Sequence, residues 1–141
     1  MTFISEAELA AASWQAYERA LVRLLRLDGC TGVRLVGQSN DKGADVIAHR
    51  GGRRWLVQVK HQRSKVGLDV VDRTLEALKF YRATVPVVVA SNGFSEAVYE
   101  AKLLLQREGI PLQLWDNATV AQRIARLPHK EASCPVELRE Y

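Results

Sequence analysis

Along the first part of the chain, Trp14, Leu21 and Leu25 fall on one side of a helical wheel. Just upstream, Ser5 followed by Glu8 matches the S-x-x-E capping pattern, so the sequence predicts one helix over residues 6–27, ending near Gly29. Glu18 lies inside the apolar arc of that helix, between Trp14 and Leu21. The hydrophobic period then changes to two. A short strand is predicted at residues 33–36, a turn-rich loop from Gly37 to Gly43, and a second strand at residues 45–49. Gly51-Gly52 marks a hairpin, and a third strand over residues 54–60 alternates. Trp55, Val57 and Val59 share one face of it, and Leu56, Gln58 and Lys60 share the other.

Downstream, Val71, Leu75 and Leu78 define one face of a helix over residues 69–83. The run 85–90, VPVVVA, is apolar without alternation, which predicts a strand buried on both faces with Pro86 near its start. Ser95 is placed to cap a third helix ending at Gly109, residues 111–115 form a last strand, and Asp116 or Asn117 caps a fourth helix ending near Leu127. The polar stretch 128–141, which carries Pro135, reads as a linker or appended tail. The order α-β-β-β-α-β-α-β-α belongs to the α/β class: a mixed sheet flanked by helices, with a domain over residues 1–127.

Composition narrows the possibilities. The 141 residues are 48% hydrophobic and 26% charged, which is ordinary for a globular domain. The formal net charge of +4 permits a polyanionic partner without demanding one. Its distribution says more: between Val46 and Leu68 there is no acid, but there are six bases, Arg50, Arg53, Arg54, Lys60, Arg63 and Lys65, with His49 and His61 among them. Cys30 and Cys134 have no CxxC spacing, which argues against a zinc site or a disulfide framework and fits a reducing, cytoplasmic setting. The N-terminal residues lack a basic segment, and no apolar run approaches the ~18–20 residues of a membrane span, so no membrane partner is expected.

The candidate chemistry lies in the hairpin. Asp45 opens the second strand, and Gln58 and Lys60 share a face of the third, so the turn can bring all three together. Glu18 supplies a second inward carboxylate. Inward carboxylates are costly unless paired, and two near each other raise each other's pKa unless a cation intervenes. Mg²⁺ answers both demands with carboxylate, amide and water oxygens, and the Gln58 amide and a strand carbonyl near Val59 extend the oxygen set. Lys60 can orient or help deprotonate an attacking water and stabilise phosphorane charge. Together these groups compose metal-assisted phosphodiester hydrolysis. Taken singly, each has an ordinary alternative: Glu18 as a helix-edge partner of Arg54, Asp45 as a loop acid, Gln-x-Lys as a polar strand face.

At these residues the sequence resembles the Mrr-like branch of the PD-(D/E)XK nuclease superfamily. The matching segments, in order, are WQAYERALVRLL, DKGADVIAH, RWLVQVKHQRSKVG, VVVASNGFSEAVYEAKLL and LQLWD. The resemblance implies a restriction-endonuclease-like αβββαβ core, a divalent metal (Mg²⁺, with Mn²⁺ able to substitute), and DNA cleavage leaving a 5′-phosphate. It assigns Asp45 as principal metal carboxylate, Gln58 in place of the superfamily's second acid, Lys60 as catalytic lysine and Glu18 as the helix carboxylate. Metal ligation thus falls to Glu18, Asp45 and Gln58. Asp41, the first acid of D-x-G-x-D, is favoured as a loop-structuring residue over a ligand.

Gln62, Arg63, Ser64 and Lys65 follow the lysine and are expected to contact DNA phosphates. Ser91 and Asn92 follow the buried strand, where a phosphate role and an ordinary turn and cap role are both open. Three functions fit: an active DNA endonuclease, favoured; a nuclease-fold DNA-binding module that does not cut; and a structure-selective junction or repair nuclease acting as a homodimer. Domains of this type are commonly fused to recognition, helicase or ATPase partners, and the polar tail is compatible with such a connection.

Overall fold

A computed structural model describes residues 4–39 and 43–127. Asp41, Cys134 and the 128–141 tail lie outside the described residues. Ser5 and Glu8 form the expected capping box at the start of α1 (Glu6–Ala11). The helix does not run on to Leu27. Ala12 is extended, and Ser13 caps a second helix, α2 (Trp14–Leu27), by accepting from the Ala16 N–H at 3.1 Å. The break has a use. It frees the Ala12 carbonyl from helical bonding, and His61 Nε2 donates to it at 2.6 Å.

The strands are β1 (Thr31–Ser39), β2 (Gly43–Arg50), β3 (Arg53–Lys60), β4 (Val85–Ala90) and β5 (Gln113–Trp115). They form one sheet in the order β1-β2-β3-β4-β5. The first three are antiparallel and the last three parallel. β1 is longer than expected and takes in Gly37 and Gln38, whose polar, turn-like composition hides a strand end pairing with Asp45 and Ala44. Two register shifts interrupt its pairing, between Thr31 and Arg34 and between Leu35 and Gly37. Gly51 and Gly52 turn the β2–β3 hairpin with φ of 58° and 75°, values glycine adopts without a Cβ penalty. All six residues of β4 are buried, as expected for a strand covered on both faces.

Strand alternation sorts the two layers. Val46, Ala48, Val57, Val59, Val87 and Val89 pack with Tyr17, Leu21, Leu24 and Leu25 of α2 and with Val120 and Ile124 of α5 (Asn117–Ala125). On the other face, Ile47 and Leu56 meet Leu78 and Tyr81 of α3 (Leu68–Tyr81). Val88 and Ala90 meet Val70 and Val71 of α3 and Val98 of α4 (Glu96–Arg107). Trp115 is buried, with the Arg123 guanidinium 3.9 Å from its ring centre. α3 ends at Arg82 in the left-handed region (φ 54°, ψ 42°), a conformation that costs a non-glycine residue about 1–2 kcal/mol. Among the described residues no helix is long and apolar enough to cross a membrane.

Candidate active site

The hairpin register sets Asp45 directly opposite Gln58 and Gly43 opposite Lys60. Asp45, Gln58 and Lys60 therefore rise from the α3 face of the sheet, beside Ile47 and Leu56. The Gln58 amide and the Tyr81 hydroxyl of α3 face the Asp45 carboxylate and are placed to donate to it. Burial pushes the Asp45 carboxyl above the ordinary carboxylate value; the Gln58 bond, the Lys60 charge and the Tyr81 bond oppose the rise. Lys60 is only 5% exposed. Its charge acts on the Asp45 carboxyl, though the two do not form a close ion pair.

Sequence reasoning missed two contributors. Tyr81, the last residue of α3, is raised by its burial and by the Asp45 charge. Its position follows from the α3 crossover between β3 and β4, which local patterns do not reveal. At Gly37, opposite Asp45 on β1, an added Cβ would stand 3.0 Å from Asp45 Oδ2 and 3.4 Å from the Tyr81 hydroxyl. The glycine leaves room for both groups on the edge of the site.

Glu18 is half-buried on α2, the helix on the other face of the sheet, and one of its carboxylate oxygens is buried. It is at the same end of the molecule, because the neighbouring Tyr17 stacks on His61, the residue after Lys60, with ring centres 4.7 Å apart. It is not among the groups acting on the Asp45 carboxyl. The structure thus gathers Asp45, Gln58 and Lys60 on the α3 face, with Glu18 on the α2 side of the same end of the sheet.

The expected phosphate-contact residues are brought together by the loops after β3 and β4. Val66 bridges Phe94, with Val66 N–H to Gly93 O at 2.9 Å and Ser95 N–H to Val66 O at 3.0 Å. Ser91 is buried and donates to the Gln62 carbonyl at 3.5 Å; the Asn92 amide donates to the same carbonyl. Gln62 in turn donates to Ser64 Oγ at 3.1 Å. Ser91 and Asn92 thus stitch the loops, while Arg63, Ser64 and Lys65 are exposed. Ser95 holds the N-cap position of α4 but makes no side-chain cap bond, its N–H is taken by Val66, and Glu96 is the acid in the first turn.

A hard divalent cation fits the donors present. One half-buried carboxylate and one amide carbonyl offer oxygen ligands, and the raised Asp45 carboxyl is a group that a cation would relieve. Among the described residues there is no cluster of three or more His, Cys, Asp or Glu, which is the set a zinc site would need.

Comparison with known proteins bears on the fold and the family. No curated protein sequence matches the chain. Among solved structures, it is similar to a protein of unknown function, AF1548 (TM-score 0.56, 16% identity, covering 84% of this chain and 73% of that one). It is also similar to the restriction endonuclease MspJI in complex with a 27-mer oligonucleotide (TM-score 0.53, 18% identity, 80% of this chain and 27% of that one). A third is the DNA modification-dependent restriction endonuclease AspBHI (TM-score 0.51, 17% identity, 87% and 38%). At these identities the likeness shows the fold, a mixed five-stranded sheet flanked by helices. The chain spans only a minor part of the two restriction enzymes. The restriction endonuclease family Mrr_cat matches residues 9–124, most of the sequence, and the chain belongs to that family.

Proposed function

We propose that this domain is a divalent-metal-dependent DNA endonuclease that hydrolyses phosphodiester bonds, using Mg²⁺ with Mn²⁺ able to replace it. The observation that carries the reading is Asp45 set directly across the hairpin from Gln58, with buried Lys60 next along the same face. Asp45, the Gln58 carbonyl oxygen and the Val59 main-chain carbonyl would hold the cation, with Glu18 contributing from α2. A cation bound there supplies Lewis acidity toward the phosphate and lowers the pKa of a bound water. Gln58 and Tyr81 orient the Asp45 carboxylate. Lys60 holds positive charge where the pentavalent phosphate becomes more negative, and its ammonium can orient the attacking water. Arg63, Ser64 and Lys65, on the loop after β3, steady the backbone of bound DNA. The restriction enzymes it resembles in fold are much longer than this chain, which supports a fused or associated recognition, helicase or ATPase domain; a homodimer and a cytoplasmic location also belong to this proposal.

The test is plasmid and single-strand cleavage with Mg²⁺, with Mn²⁺ or with EDTA. Cutting with either metal and none with EDTA is the expected result. DNA binding without cutting under all three conditions favours the non-cleaving module, for which glutamine in place of a second acid is the specific argument.

Asp45 also ties pH to stability. Its folded carboxyl titrates above its ordinary value of 3.8, so folding favours the protonated form. That contribution is complete below the unfolded value and is lost as pH rises through the higher folded value. At neutral pH the ionised group opposes folding until a cation joins it. Asp45→Asn is therefore expected to melt at or above the wild-type temperature in EDTA, and Mg²⁺ should raise the melting temperature of the wild type alone. Equal stabilisation of both proteins by Mg²⁺ in a thermal melt would remove Asp45 from the metal site.

A further inference from the structure

The end of the sheet opposite Asp45 holds a broad cleft of about 710 Å³, lined by His49, Arg53, Arg54, Arg82, Thr84 and Pro111 among others. It is assembled from the β2–β3 hairpin, the α3–β4 connection and the α4–β5 connection. Three guanidinium groups and an imidazole meet there, and no acidic side chain lines it. Two ion pairs of the fold, Arg50–Asp28 and Arg123–Asp28, involve none of the three arginines. Like charges collected without a counter-charge repel one another, and an anion in the cleft would relieve that repulsion.

Two details indicate a prepared site. Arg54 is held on both sides: its Nε donates to His49 Nε2 at 3.2 Å and its Nη1 to the Tyr81 carbonyl at 2.9 Å. That fixes the guanidinium plane and leaves Nη2, with the second Nη1 hydrogen, for another acceptor. Arg82 is the one non-glycine residue with positive φ among the described residues. Glycine is the usual occupant of a left-handed helix end, so an arginine is kept there against backbone preference. Thr84 adds an exposed hydroxyl beside them.

We propose that this cleft is a second phosphate-binding site, separate from the catalytic end. Guanidinium forks match phosphate oxygens two at a time, and an open, polar cleft suits a hydrated anion better than an apolar ligand. Arg54 and Lys60 lie six residues apart on β3, which is about 20 Å at the rise of an extended strand. A phosphate bound here is not the one being cut. The phosphate belongs either to nucleic-acid backbone remote from the scissile bond or to a free oligophosphate.

The test compares wild type with Arg53→Ala and with the double variant Arg53→Ala/Arg82→Gly, all in EDTA. Glycine takes the left-handed conformation freely, so the double variant should melt at or above the wild-type temperature, and weaker binding then cannot be put down to unfolding. Inorganic tripolyphosphate is titrated by calorimetry, and a short labelled duplex by anisotropy across a salt series. Wild type should bind tripolyphosphate, and the double variant at least about tenfold more weakly, a difference of about 1.4 kcal/mol. If backbone is the source, duplex affinity falls as well, and the slope of log K against log salt shrinks by about 0.9 for each phosphate the variant no longer neutralises. If only tripolyphosphate binding falls, the source is a free oligophosphate. Unchanged binding of both probes, or no tripolyphosphate binding by wild type, overturns the proposal. Because EDTA prevents cleavage throughout, that failure would leave the nuclease reading standing.

Discussion

Lys60→Met is expected to lower the rate of DNA cleavage by about 10²–10⁴-fold, the range contributed by a positioned proton-transfer group. Methionine keeps most of the aliphatic stem, so the 5%-exposed site is filled and no large cavity opens. What disappears is the ammonium beside Asp45. Metal binding, carried by Asp45 and its strand neighbours, should stay nearly intact, because no metal ligand is removed. Single-turnover cleavage at saturating DNA, with Mg²⁺ binding followed by calorimetry, separates the two effects. Cleavage at the wild-type rate would take Lys60 out of the mechanism. Loss of both cleavage and metal binding would mean that its charge organises the site instead.

The largest expected effect on stability is at Tyr17. Its side chain is fully buried at the centre of the α2 layer, stacks on His61, and donates to Asn117 Oδ1 at 2.8 Å. Tyr17→Ala should cost about 3–5 kcal/mol, the range for deleting a buried aromatic ring. At about 3–4 °C per kcal/mol for a domain of this size, that lowers the melting temperature by more than about 10 °C. Tyr17→Phe keeps the ring and the stack and leaves Asn117, itself 7% exposed, without this donor; it should cost about 1–3 kcal/mol. Urea unfolding of the two variants tests the division. If Phe destabilises as much as Ala, the hydrogen bond dominates and the ring packing contributes little. The Tyr17 hydroxyl stays protonated throughout any practical pH range, because burial and then the Asp116 charge hold its pKa far above normal.

How much could be read in advance depended on how local the cause was. The hairpin that sets Asp45 against Gln58 is written in adjacent residues: a two-glycine turn between alternating strands leaves only one register with the apolar faces together. The buried β4 strand was equally plain, since an unbroken run of valines leaves no polar face. The split between α1 and α2 was harder, because Ala10 to Ala12 favour helix and the break is set by Ser13 and by His61, 49 residues away from Ala12. Tyr81 and Gly37 escaped notice for a similar reason: each meets Asp45 only through tertiary packing. The arginine cleft is more remote still, since the β2–β3 hairpin and the α3–β4 connection must converge before Arg53 and Arg54 become neighbours of Arg82. The helical wheel turns Glu18 inward but does not say which face of the sheet the helix will cover.

The two borders of the sheet have a consequence for how the domain behaves in company. An unpaired strand edge invites another chain to add to it, which is the first step of runaway self-association. β1 forms one border and is long enough to serve as a template, but its two register shifts spoil the regular spacing of amide groups that an incoming strand would need. β5 forms the other and is only three residues long. Neither border offers a straight run of free amides and carbonyls. The borders of the sheet therefore disfavour edge-to-edge fusion of one copy with another at high local concentration.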